Sequence, residues 1–189
     1  MNLRYHILNL VLLFSSSAFA NEFCPTMDIP QDRKVLLSIE QQSLDNSEAW
    51  IIRSIIMVNK TPAESFETAK KVEQLEHIIP LINIFNLSED RKTLEVGIKI
   101  LPGLSFRQVF QIAVFEINQS LQLQFTEGSF AVLAGQVCFL SVNSNQTAVV
   151  VNSSGNLKKN PVPFFVTNSL LEGLGKSIIR RWRNKIESQ

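Results

Sequence analysis

A long amphipathic segment closes this chain, and almost everything before it reads as strand. From Pro161-Val-Pro-Phe-Phe the sequence runs to about Ile186, with Leu171, Leu174, Ile178, Trp182 and Ile186 recurring every three or four residues. That is the spacing of one buried helical face. Ala49 through Asn152 read mainly as strands, broken once by a short helical region. Many strands closed by a single terminal helix predict a curved sheet gripping a helix. The concave side of such a sheet must be filled, by side chains or by a guest, so ligand binding is the first functional expectation.

The first twenty residues read as a leader. Arg4 and His6 precede the apolar run Ile7 to Phe14, and the segment closes on Ala18-Phe19-Ala20. A charged start, a short apolar core and small residues spaced A-x-A make a secretory signal. The run falls short of the roughly 20 residues that a bilayer span needs. Cleavage after Ala20 leaves Cys24 four positions beyond the cut, not at it, so the expected product is soluble and exported, periplasmic or secreted.

The cleaved chain keeps only Cys24 and Cys138, and an even pair in an exported protein favours a disulfide. A loop of that length would stabilise the fold by about 4–5 kcal/mol in the chain-entropy model. The bond would pin an N-terminal arm, residues 21–34, to the sheet. A redox-active pair is the alternative, but the spacing is nothing like C-x-x-C. Losing Arg4 with the leader leaves the charges balanced, with no basic excess for nucleic acid. Sequons stand at Asn59, Asn86, Asn118, Asn145 and Asn152; in so Asn-rich a chain most are expected by chance.

Along the chain, Val35 to Gln41 alternates apolar and polar, Ser43-Leu-Asp-Asn-Ser-Glu turns, and Ala49 to Val58 is β-rich, together a hairpin. Thr61 then reads as an N-cap, with Pro62 in the first helical position and Glu64 completing a capping box. This helix should carry Phe66, Ala69 and Val72 inward. A second short helix, Leu75 to about Ile79, stops at Pro80. The remaining strands are expected at Thr93–Leu101, Phe106–Ile117, Leu121–Phe125, Phe130–Val142 and Thr147–Asn152. The expected fold class is α+β: a curved antiparallel sheet of about six to seven strands around a long C-terminal helix, with two short helices after the first long strand.

Strand, capped helix, short helix ending in Pro, meander and closing helix together resemble the START-like (SRPBCC) lipid-binding superfamily, nearest its polyketide cyclase/dehydrase-like branch and exported bacterial members. Val58-Asn-Lys-Thr-Pro-Ala-Glu-Ser-Phe resembles the strand-to-helix step, and Glu73-Gln-Leu-Glu-His-Ile-Ile-Pro the second helix. Gly128-Ser-Phe with Gly135-Gln-Val resembles a characteristic strand pair. Pro161-Val-Pro-Phe-Phe-Val with Leu170-Leu-Glu-Gly-Leu resembles the entrance to the last helix. Val137 stands where that family commonly has Trp, and Glu73 replaces an Asp with no aromatic after it. The resemblance covers residues 35–189 and implies a helix-grip fold that binds lipids, sterols, polyketides or other hydrophobic molecules between sheet and helix, with catalysis in some members only.

A cavity of this kind would be walled by Val96, Ile98 and Phe110 from strands, Leu75 and Ile79 from the short helices, and Leu170, Leu174 and Ile178 from the last one. Arg107 would either grip a ligand carboxylate or phosphate with two hydrogen bonds or face solvent as an ordinary strand residue. His77 is a candidate general base or a surface histidine, and Glu95, Glu116 and Glu127 form an acid/base pair only if two face inward. No nucleophile–base constellation, metal-ligand cluster or phosphate loop is recognisable, so no catalytic residue, metal or cofactor is expected. Gly173 and Gly175 interrupt the closing helix, either for a close ligand or strand or for simple packing. Arg180, Arg181, Arg183 and Lys185 end it, either as contacts to anionic lipid headgroups or as complements to the helix dipole. The expected function is an exported carrier of a small hydrophobic ligand. A cyclase- or hydrolase-like enzyme using the same cavity, and an interaction module whose cavity has collapsed, are the alternatives.

Overall fold

The computed structural model describes residues 36–44, 47–101, 104–128, 130–157 and 164–189. The leader, the arm with Cys24, and Pro161 to Pro163 lie outside them. Strands β1 (Leu36–Leu44) and β2 (Ser47–Val58) lead into helix α1 (Pro62–Ala69), a 3-10 turn (Val72–Gln74) and helix α2 (Leu75–Ile78). Six strands follow: β3 (Ile82–Leu87), β4 (Thr93–Leu101), β5 (Leu104–Phe115), β6 (Ser120–Gly128), β7 (Phe130–Asn143) and β8 (Gln146–Leu157). Helix α3 (Phe164–Glu187) closes the chain.

Among the described residues these eight strands form one antiparallel sheet in the order β1-β2-β8-β7-β6-β5-β4-β3. The expected six to seven are corrected by β3. Ile82 to Leu87 escapes recognition because the register shifts between Ile82 and Ile84, which breaks the two-residue alternation that marks a strand. Similar shifts at Lys99/Leu101 and Val109/Phe110 bend the sheet further. With β2 paired to β8 and β3 on the far edge, the chain must cross six strand spacings, roughly 29 Å if flat. The short helices make that crossing over one face, the concave one.

The capping box forms as read. Glu64 N donates to Thr61 Oγ1 at 3.3 Å, and Thr61 N donates to Glu64 Oε2 at 2.9 Å. These bonds lower the Glu64 pKa, the backbone one most. Thr147, fully buried, donates from Oγ1 to Lys60 O at 2.7 Å and ties the helix entrance to β8. Phe66, Ala69 and Val72 are buried at 2%, 8% and 6% exposure, although Val72 falls in the 3-10 turn beyond α1.

Residues 55–58 of β2 are apolar without a break because both faces are covered. Ile56 and Val58 join Phe66, Phe139, Val149, Ile179 and Ile186 in the core beneath α1 and α3. The expected stripe on α3 differs at one place, where Ile179 and not Ile178 is the fully buried residue. Ile179 and Ile186 are buried, and Leu174, Gly175, Ile178 and Trp182 are half-buried beside them. A Cβ on Gly175 would lie 3.0 Å from Leu37 Cδ2, so the bare glycine lets β1 approach the helix and selects which apolar edge turns inward. Gly173 meets nothing within 4 Å. Of the two readings of these glycines, close packing against the sheet holds for Gly175.

Candidate ligand-binding site

Alternation on β4 turns Leu94, Val96 and Ile98 toward the helices, and pairing across the sheet sets which neighbours share that face. Leu94 opposes Phe110, Val96 opposes Gln108, and Ile112 opposes Leu123. Leu94, Val96, Ile112 and Val72 are buried, and Leu75, Ile79, Ile98, Phe110 and Leu123 pack on them while remaining partly exposed. Five of the expected wall residues, Leu75, Ile79, Val96, Ile98 and Phe110, therefore come together on one concave apolar surface.

Helix α3 carries Leu174 and Ile178 as half-buried residues outside that cluster. Leu170 stands in α3 with its side chain outside the described part. Arg107 is placed elsewhere. It opposes Gly97, whose neighbours Val96 and Ile98 face inward, so Arg107 projects from the outer face and pairs there with Glu95. Period-2 alternation alone shows two faces on β5; only its register with β4 tells which one is inside.

Two residues of this surface went unrecognised in the sequence. Phe125 stacks on Phe110 at a centroid separation of 4.1 Å with the planes tilted by 50°. The signal existed, since Phe125 alternates with Leu121 and Leu123 on β6. Gln108, only 5% exposed, puts a polar amide into an otherwise apolar wall, and a Cβ at Gly128 would run into it. Gly128 holds φ at +132°, a conformation that only glycine adopts easily.

The titratable groups lie outside this surface. His77 is exposed on α2. Asn86 Nδ2 donates to Glu95 Oε2 at 3.0 Å, and that bond first, then Arg107, holds the Glu95 carboxyl below its ordinary range. Glu116 sits in the turn after β5, not in a strand, and binds Lys70 Nζ at 2.9 Å. Glu127 is exposed on β6. Among the described residues no three His, Cys, Asp or Glu side chains converge as metal ligands.

The cations of α3 are split. Arg180 and Arg181 are exposed and, with Gly173, Lys176, Ser177 and Asn184, line an open groove of about 350 Å3 on the outer side of the helix. Arg183 instead holds Glu187 at 3.3 Å, and Glu187 Oε1 accepts the Asn59 backbone N–H at 3.1 Å. That pair joins the helix end to the end of β2.

A curved antiparallel sheet, two short helices after its first long strand and a helix laid along its concave side have close counterparts among solved structures. The chain has the START-like helix-grip fold. It is similar to a START superfamily protein from Mycobacterium smegmatis, with a TM-score of 0.58 at 13% identity over 73% of this chain and 97% of that one. The ZhuI aromatase/cyclase from Streptomyces sp. R1128 gives 0.60 at 9% identity, over 74% and 92%. A Thermus thermophilus protein gives 0.60 at 16%, over 72% and 96%. No protein-family model and no curated protein sequence matches the chain.

Proposed function

We propose that this protein is an exported carrier that holds a small hydrophobic ligand, lipid-, sterol- or polyketide-like, between the concave face of its sheet and α3. One observation carries the reading. Ile98, Phe110, Leu123 and Phe125 form a contiguous apolar wall that the packed core leaves half open, where a buried apolar guest would gain about 25 cal/mol per Å2. Gln108 supplies one polar group to orient it. The fold shared with an aromatase/cyclase and a START superfamily protein supports the same use of this face.

Export follows from the leader, and with it a Cys24–Cys138 bond. Each thiol gives up one proton and one electron to a disulfide-bearing oxidant by exchange. Thiol titration of the denatured, unreduced protein should find no free cysteine, and two free thiols would refute the bond. Arg180 and Arg181, exposed beside Lys176, would touch anionic headgroups during transfer, and binding to phosphatidylserine vesicles should weaken when both are changed to Ala.

The decisive measurement is titration with a fluorescent fatty acid, paired with native mass spectrometry of protein from its own host. Saturable uptake is expected, weakened about tenfold or more by Ile98→Trp with the fold unchanged. A ligand-free mass together with no uptake would overturn the carrier reading in favour of an interaction module with a packed concave side.

A further inference from the structure

The apolar wall of the ligand site continues along the sheet, and its chemistry changes on the way. Leu123 pairs with Gly135, Gly135 with Ser153, and Ser153 lies beside Ile52, one rung across β6, β7, β8 and β2. Alternation puts this rung on the inner face, because Leu121, Val137, Val149 and Ile56, at even spacing along the same strands, belong to the core under α1 and α3. Leu123, Ser153 and Ile52 are half-buried, whereas Leu121, Val137 and Ser54 on the next rung are 5%, 4% and 3% exposed. A half-buried side chain on the inner face of a central strand borders open space, so the opening over Phe110, Phe125 and Leu123 extends to Ser153. Gly135 leaves the stretch between them unfilled; a Cβ there would lie 3.3 Å from Ser153 Cβ. Among the described residues of this furrow none is charged. The cations of the neighbouring strands face the other way: Arg53, between Ile52 and Ser54, pairs with Glu40, and Arg107 pairs with Glu95.

We propose that the ligand is a neutral amphiphile with a hydroxyl or carbonyl oxygen at one end, that Ser153 hydrogen-bonds this oxygen, and that the apolar part lies along Leu123, Phe125 and Phe110. This deepens the carrier reading and rests on it. From Ser153 on β8 to Phe110 on β5 is three strand spacings, roughly 14 Å, the reach of a medium-length acyl chain. A serine hydroxyl both donates and accepts, so it serves an alcohol as well as a carbonyl. A carboxylate or phosphate is excluded by its charge, since an ion buried without a partner is strongly disfavoured. The guanidinium that would grip it, on Arg107, projects from the outer face, and Arg180 and Arg181 line the outer side of α3. Gln108, the other polar group of the wall, is uncharged too, and at 5% exposure it is far less open than Ser153. A small number of placed polar groups in an apolar site fixes a ligand's orientation, and here that group selects against anions.

The test is competition against N-phenyl-1-naphthylamine, a neutral fluorescent probe, on the purified and delipidated protein. At pH 8 decan-1-ol should displace the probe at a concentration at least about tenfold below that of decanoate, which must bury its charge without a cation. Lowering the pH toward 5 should narrow the gap, because a carboxylic acid titrates at about 4–5 and the neutral acid has no charge to bury. Ser153→Val should weaken decanol about two- to tenfold, the worth of one hydrogen bond, and leave the affinity for the probe unreduced. Ser153→Thr, which keeps the hydroxyl, should retain the parent's affinity for decanol. Both β-branched residues suit a central strand, and circular dichroism checks that each variant is folded. Decanoate binding as tightly as decanol at pH 8 would overturn the neutrality of the ligand. An unchanged decanol affinity in Ser153→Val would overturn the seat of its oxygen. Probe that binds and yields to neither competitor refutes this proposal alone, whereas probe that does not bind at all removes the carrier reading and this proposal with it.

Discussion

Replacing Phe66 by Ala should destabilise this protein more than any other single change in α1. The side chain is 2% exposed and sits in the core shared by α1, α3 and the sheet. Its ring meets Phe139 edge-on at 5.7 Å with an interplanar angle of 68°, and Lys70 Nζ lies 4.9 Å above it. Truncating a buried Phe costs about 3–5 kcal/mol, and the edge-to-face pair adds about 0.5–1.5 kcal/mol when not already counted in that range. A loss of about 4–5 kcal/mol is a large share of the 5–15 kcal/mol typical of a domain. At about 2–4 °C per kcal/mol it lowers Tm by roughly 8–20 °C. Urea unfolding followed by far-UV circular dichroism measures the loss, with the slope expected to be unchanged. Phe66→Leu and Phe139→Leu, singly and together, isolate the ring pair, with a coupling of about 0.5–1.5 kcal/mol. A loss below about 1 kcal/mol for Phe66→Ala would refute the seating of α1 on the sheet, since no buried Phe is removed so cheaply.

Two further perturbations test particular residues. Gly173→Ala should stabilise α3 by about 1 kcal/mol, because nothing lies within 4 Å of the added methyl, whereas Gly175→Ala should show little gain because Leu37 Cδ2 stands 3.0 Å from it. Thermal melts distinguish the pair, and destabilisation by Gly173→Ala would mean that another group approaches there. Glu95 bonds Asn86 and Arg107 and has its pKa lowered from 4.5 on folding. Its contribution is therefore complete above about pH 4.5 and disappears as pH falls through the lower folded value. Glu95→Gln should reduce the urea midpoint near pH 7, and the gap to the parent should narrow as pH falls below 4.5; a gap that widens on acidification would contradict the sign.

Local patterns carried the element order. The Thr61–Glu64 box, the inward Phe66 and Ala69, the stop at Pro80 and the terminal amphipathic helix are written within a few residues of where they act, so propensity and periodicity reveal them. That Leu75, Ile79, Val96, Ile98 and Phe110 share one apolar cluster was partly legible for the same reason: Val96 and Ile98 alternate cleanly, and Leu75 and Ile79 frame a short helix. What only the tertiary structure decided depends on partners distant in sequence. Arg107 and Phe110 sit on one strand, and pairing with β4 sends the arginine outward and the phenylalanine in. Leu174 and Ile178 are as apolar as Ile179, and the approach of Leu37 to Gly175 chooses the edge that is buried. Strand β3 is hidden by its own bulge. Cys138 and Val150 alternate with residues that face α3, and nothing local tells that they are buried too. A chain's periodicity defines two faces for every strand and helix, but the free energy that assigns each face to water or to the interior is released only when remote segments meet on it.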